Sequence, residues 1–297
     1  MIGTTINRAW RTVLALAAGA IVPLAMLGSP SAALASEHHP TGEFAPFKYC
    51  PLSNPSLEAC ILAETSGGGF TVGKRNVPIT KTITLQGGIN GETGEFIGAE
   101  NGETLSKTPQ AVPGGLLNIL APEFLPKWLQ EIFNNFINEG ITGVTATTEL
   151  AAPASHVVVN IENLLLERET ALSLPVKIKL SNAFLGESCY VGSNSAPIVI
   201  ELTTGTTSPP PPNKPITGTG GTLKINESFT LVTLSGGRLV NNSFAAPGAN
   251  GCGGFLSFLI DPAVNAELGL PAAAGNNTAI LEGKLSSANP EAVKASE

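Results

Sequence analysis

Ala171-Leu172-Ser173-Leu174-Pro175-Val176-Lys177-Ile178-Lys179-Leu180 alternates strictly, with Leu172, Leu174, Val176, Ile178 and Leu180 on one set of positions and Ser173, Pro175, Lys177 and Lys179 on the other. A period of two puts successive side chains on opposite faces of an extended chain, whereas a helix would scatter these five apolar residues around its whole circumference. The stretch therefore predicts a strand with one buried and one wet face. Shorter patterns of the same kind occur at 77–85, 156–161, 198–203, 222–225, 229–234 and 278–285, with weaker ones at 69–73, 144–150 and 239–244. The intervening turns are rich in the 33 Gly and 23 Pro of the chain. About ten short strands at such spacing predict a mainly β fold, a sandwich or barrel.

One helix is predicted to interrupt the strands, over 126–139. Trp128, Leu129, Ile132, Phe133, Phe136 and Ile137 form an apolar stripe opposite Lys127, Gln130, Glu131, Asn134, Asn135 and Asn138. Three- and four-residue spacing of this kind makes an amphipathic helix, and Pro126 and Gly140 suit its two ends. The stripe is expected to pack on the sheet, Trp128, Ile132 and Phe136 included. The alternative is a lid over a cavity for an apolar ligand. A membrane-surface helix would carry Lys and Arg on its polar face, where this one has Glu131 and Glu139. A second short helix is expected at 262–268.

Residues 1–35 read as a secretory signal peptide. Arg8 and Arg11 supply the positive region, the apolar run follows over 13–27, and Ala33-Leu34-Ala35 is a small-residue cleavage site. That run contains Pro23 and falls short of the roughly 20 residues needed to span a bilayer, so no integral membrane segment is expected after cleavage. Four cysteines in an exported chain, Cys50, Cys60, Cys189 and Cys252, predict two disulfides. Proximity favours Cys50 with Cys60 and Cys189 with Cys252, although four cysteines allow three pairings. The remainder divides into a flexible tail at 36–45, a single β-rich domain at 46–286 and a flexible tail at 287–297. Within the domain, Ser208-Pro209-Pro210-Pro211-Pro212-Asn213-Lys214-Pro215 is expected to be a stiff polyproline II crossover.

The net charge of −7 excludes nucleic acid as a partner held by phosphate contacts. With 22 Glu but only one Asp, Asp261, there is no Asp-rich calcium loop. Beyond the expected N-terminal tail the only His is His156, beside Ser155, and no GxSxG elbow occurs. One such His and one Asp do not supply a zinc site of the usual kind. Residues 68–74 match GxxxxGK, but Arg75 stands where Ser or Thr would hold magnesium, and Asn76-Val77-Pro78 begins a strand rather than a helix. Glu167 and Glu169 flank Arg168 and are the remote candidates for a carboxylate pair in a Glu-dependent hydrolase. No catalytic residue, cofactor or metal is expected. Asn226, Asn241 and Asn276 begin glycosylation sequons.

Several runs carry a resemblance: Ser188-Cys189-Tyr190-Val191-Gly192-Ser193, Leu202-Thr203-Thr204-Gly205-Thr206-Thr207, residues 242–253, Gly275-Asn276-Asn277-Thr278-Ala279-Ile280-Leu281, and residues 47–60. Together they resemble a group of uncharacterised exported proteins of actinobacteria. The resemblance implies secretion and the same two bridges, and brings no activity, ligand or catalytic residue. The function expected is that of an exported, non-enzymatic β-domain that binds or serves as an envelope or extracellular component. The alternative is a carrier of an apolar, lipid-like ligand with the 126–139 helix as its lid.

Overall fold

The structure, a computed structural model, describes residues 38–115, 125–131 and 143–297. The expected signal peptide and Ile132, Phe133, Phe136 and Ile137 lie outside the described residues. The strands in chain order are β1 (Leu57–Val72), β2 (Arg75–Pro78), β3 (Ile83–Asn90), β4 (Phe96–Gly98), β5 (Gln110–Ala111), β6 (Thr145–Leu150) and β7 (Val158–Val159). They continue as β8 (Leu172–Ser181), β9 (Tyr190–Val191), β10 (Ile198–Leu202), β11 (Thr222–Ile225), β12 (Leu231–Asn241), β13 (Ala249–Asn250) and β14 (Thr278–Ala288). Among the described residues they are accompanied by α1 (Ile161–Leu166), α2 (Ser257–Leu268) and α3 (Pro290–Ala295), and by a helical stretch over 127–131.

All pairing is antiparallel, in two sheets. The first runs β11-β12-β14-β1-β3-β4, with β2 beside the far end of β1; the second runs β13-β9-β8-β6-β5, with β7 and β10 also on β8. The alternation that opened the sequence reading is the spine of the second sheet, where Leu174, Val176 and Leu180 of β8 are buried. They meet Ile61, Leu85, Phe96 and Leu281 of the first sheet in one core. The fold is thus sandwich-like, as expected for a mainly β chain.

The first sheet carries two neighbouring bulges. β1 is bulged between Thr65 and Gly67, and β12 between Ser235 and Gly237, both opposite Gly283 of β14. A side chain at Gly283 would lie 1.9 Å from the Glu64 carbonyl oxygen. At Gly68, which has φ +86°, it would lie 2.1 Å from the Ile280 carbonyl oxygen. Glycine lets the backbones approach and bulges add twist, so the edge of β12 reaches the second sheet. There Thr203 and Val240 exchange hydrogen bonds of 3.0 and 2.8 Å, closing one edge of the sandwich.

Both expected disulfides form, Cys50 to Cys60 and Cys189 to Cys252. Other expectations need correction. The strand expected over 77–85 is broken, because buried Gln110 accepts from the backbone N–H groups of Thr80 and Lys81 and turns the chain between β2 and β3. The strand expected over 156–161 shrinks to β7, because Asn160 accepts from the Asn163 N–H at 2.9 Å and caps α1. The pieces expected at 229–234 and 239–244 are one strand, β12, that starts only after Asn226 has closed a turn onto Thr230 and Leu231. The expected second helix is the end of the longer α2.

Neither terminal segment is frayed. Asn289 caps α3, whose Val293 is fully buried against Phe47, Leu52, Cys60 and Leu62. On the N-terminal side the Thr41 N–H donates to the Ser296 carbonyl, and His38 hydrogen-bonds both Glu100 and Glu297 at 2.8 Å. The proline segment is a folded-back loop rather than a straight crossover. The chain reverses at Pro211-Pro212, whose peptide is cis, Thr206 pairs with Thr217, and Asn213 donates to the carbonyls of Asn242 and Asn277. Trp128 also departs from expectation. At 63% exposure it stands in solvent, because the first helical turn after Pro126, with Lys127 and Glu131, faces outward.

Candidate ligand-binding cavity

Between the sheets, at the end covered by α2, the core is incompletely filled. Phe70, Val72 and Val77 line a slot from the first sheet, Ile178 and Leu180 from the second, and Val264 and Leu268 from α2. The slot is a cavity of about 60 Å³. It is a narrow passage and not a bowl. Two further apolar voids continue it between the sheets. The next shares Phe70 and Thr148 with it, and the last shares Leu85, Leu172 and Leu281 with the middle one. Among the described lining residues neither Trp128 nor Leu129 appears.

The local sequence explains how α2 comes to roof the slot. Asn265 accepts from the Ala249 N–H at 2.6 Å and donates to its carbonyl at 2.9 Å, fixing the middle of the helix on β13. Asp261, the single Asp of the chain, accepts from the Cys252 and Gly251 N–H groups at 2.7 and 3.1 Å and ties the helix to the disulfide loop. At the other end the Lys74 N–H donates to the Leu268 carbonyl at 2.8 Å, and its ammonium to the Ala266 carbonyl at 3.1 Å. The GxxxxGK match thus places a cation at a helix C-terminus, the reverse of a phosphate cradle. Gly73 and Lys74 form the tight turn between β1 and β2.

One charged residue is buried in this apolar lining. The Arg75 side chain is 6% exposed, and its Nη2 donates to Glu267, itself 48% exposed, at 2.5 Å. Arg75 Nε and Nη1 are buried with no hydrogen-bond partner among the described residues. Gln110 also lines the slot, but its amide is committed to Thr80 and Lys81. On the sheet beside the slot, burial raises the Tyr190 phenol above its ordinary range, and the hydrogen bond that the Lys179 ammonium donates to Glu187 raises Lys179.

The other residues singled out from sequence lie elsewhere. Ser155 and His156 are exposed at the end of a single helical turn, Ala154–His156. Glu167 has a left-handed backbone and accepts from the Gly220 N–H at 2.9 Å and the Thr219 hydroxyl at 3.2 Å, so it clamps a loop. Of the sequon asparagines, Asn241 is buried and donates to the Glu201 carbonyl, which closes it to glycosylation, whereas Asn276 is exposed. Arg75 was read only as the residue spoiling a phosphate-loop match; its burial depends on Glu267, 192 positions away, and no local signal reveals it. Among the described residues no His, Cys, Asp and Glu cluster could hold a metal, and no helix is long and apolar enough to cross a membrane.

No protein-family model matches the chain, and neither does any curated protein or any solved structure.

Proposed function

We propose that the protein is an exported, non-enzymatic binding domain whose ligand is apolar and lodges in the slot between the two sheets. The apolar slot under α2 carries this reading. Apolar pockets with few, well-placed polar groups are the usual form of small-molecule sites. Secretion is supported by the signal-like residues 1–35 and by two disulfides, which persist in oxidising compartments. The test is direct. Secreted protein should take up dodecanol, read by displacement of an apolar fluorescent dye. Ala146→Phe should block that uptake, since Ala146 lines the slot and a phenyl ring would fill it. Failure of the wild-type protein to bind any long-chain amphiphile sinks the reading.

A role at an apolar surface of the cell envelope is favoured by a second observation. Phe255, in the turn before α2, and Phe258 and Leu259, in its first residues, are 89%, 70% and 59% exposed. Phe184, 61% exposed, stands on a neighbouring loop whose Leu185 carbonyl accepts from the Gly253 N–H. Leu185 also lines the slot, so the exposed apolar residues lie at the end of the molecule where the slot is built. Flotation with vesicles should carry the wild-type protein upward and leave Phe255→Ser/Phe258→Ser behind; wild type that stays at the bottom of the gradient excludes this role.

A further inference from the structure

Arg75 is the one feature of the slot that an apolar ligand alone does not explain. An arginine carries five N–H donors and cannot shed its proton in a protein. Buried donors without partners are costly, and a native structure leaves few of them. Here Nε and Nη1 have none among the described residues, although Glu267 lies against the same guanidinium. Glu267 is half in water and holds only Nη2 of the guanidinium. The slot therefore has greasy walls and, at one place, buried cationic donors short of an acceptor.

We propose that the ligand is a single-chain amphiphile with a carboxylate head, its chain in the slot and its carboxylate accepting hydrogen bonds from Arg75. This rests on the slot-binding reading above and adds the headgroup to it. A carboxylate fits better than a neutral polar head for two reasons. It offers only acceptors, against a group that offers only donors, and hydrogen bonds to an ionised pair are roughly twice as strong as neutral ones. The ion pair with Glu267 then holds Nη2, and Nε and Nη1 are the donors left for the carboxylate.

The experiment compares dodecanoate, dodecanol and acetate as ligands of the full secreted chain by calorimetric titration at neutral pH. Dodecanoate should bind about 10- to 100-fold more tightly than dodecanol, and acetate too weakly to measure. Arg75→Met should abolish the preference, so that the variant binds dodecanoate no more tightly than it binds dodecanol. Equal binding of dodecanoate and dodecanol by the wild-type protein would mean that buried water serves Arg75, and would overturn the headgroup assignment while leaving the slot intact. Acetate binding as tightly as dodecanoate would overturn it from the other side, as a site for an anion only. If neither long-chain ligand binds, the slot reading itself has failed. Should Arg75→Met not fold, the wild-type comparison of dodecanoate with dodecanol decides alone.

Discussion

Asn277 shows at the scale of one residue how a turn-rich chain is held in place. It is fully buried; its Oδ1 accepts from the Gly73 N–H at 2.9 Å, and its Nδ2 donates to the carbonyls of Phe244, Ala272 and Ala273 at 2.9, 3.4 and 3.2 Å. One amide thereby connects the β1–β2 turn, which carries Arg75, to two loops that have no strand of their own to satisfy them. Removing a buried partner exposes the full desolvation cost of each group left behind. Asn277→Ala should destabilise by about 2 to 4 kcal/mol, seen as a lower urea midpoint at unchanged slope. Its neighbour Asn276 is exposed, and Asn276→Ala should stay within about 0.5 kcal/mol of wild type. Equal effects at the two positions would show that the hydrogen bonds of Asn277 contribute little.

At the scale of elements, α3 is six residues long and could not persist alone, since isolated helices of fewer than about 12 residues are marginal. Packing holds it. Val293 sits at zero exposure beside the Cys50–Cys60 bridge, so Val293→Ala should cost about 2 kcal/mol and should loosen the contact between the chain ends. Loss of amide protection at Thr41, which donates to the Ser296 carbonyl, would report that loosening; undiminished protection there would separate α3 from the N-terminal segment. α3 lies in the segment expected to be a flexible tail, although Asn289-Pro290-Glu291 supplies it with a cap, a first-turn proline and a first-turn acid. Strands with one wet face, β8, β10 and β14, were legible because burial on one side writes a period of two into the sequence. β1 was not. Its buried block Cys60-Ile61-Leu62 has no alternation, and Ser66-Gly67-Gly68-Gly69 looks like a loop although it continues β1 through its bulge. The slot was hidden for a different reason, since its lining comes from both sheets and from α2, and only the third dimension brings Arg75 to Glu267.

For the whole molecule, the two bridges do unequal work because of what each ring contains. Cys50 and Cys60 are 10 positions apart and fasten one surface segment to β1. Cys189 and Cys252 are 63 apart, and the chain between them leaves the second sheet after β10, passes through β11 and β12 of the first, and returns at β13. The longer ring therefore links the two layers of the sandwich. In the chain-entropy account, stabilisation grows with ring length, giving about 3 kcal/mol for the shorter ring and about 4 kcal/mol for the longer. Cys189→Ala/Cys252→Ala should accordingly be the more destabilised variant, by about 1 kcal/mol in denaturant unfolding. It should also lose amide protection in β9, β13 and α2, because Asp261 grips the N–H groups of Gly251 and Cys252 from the helix that roofs the slot. Cys50→Ala/Cys60→Ala should leave protection around the slot intact. If the short-ring variant proves equally unstable or worse, ring entropy is not the deciding quantity, and the packing of Cys60 with Phe47, Leu62 and Val293 outweighs it.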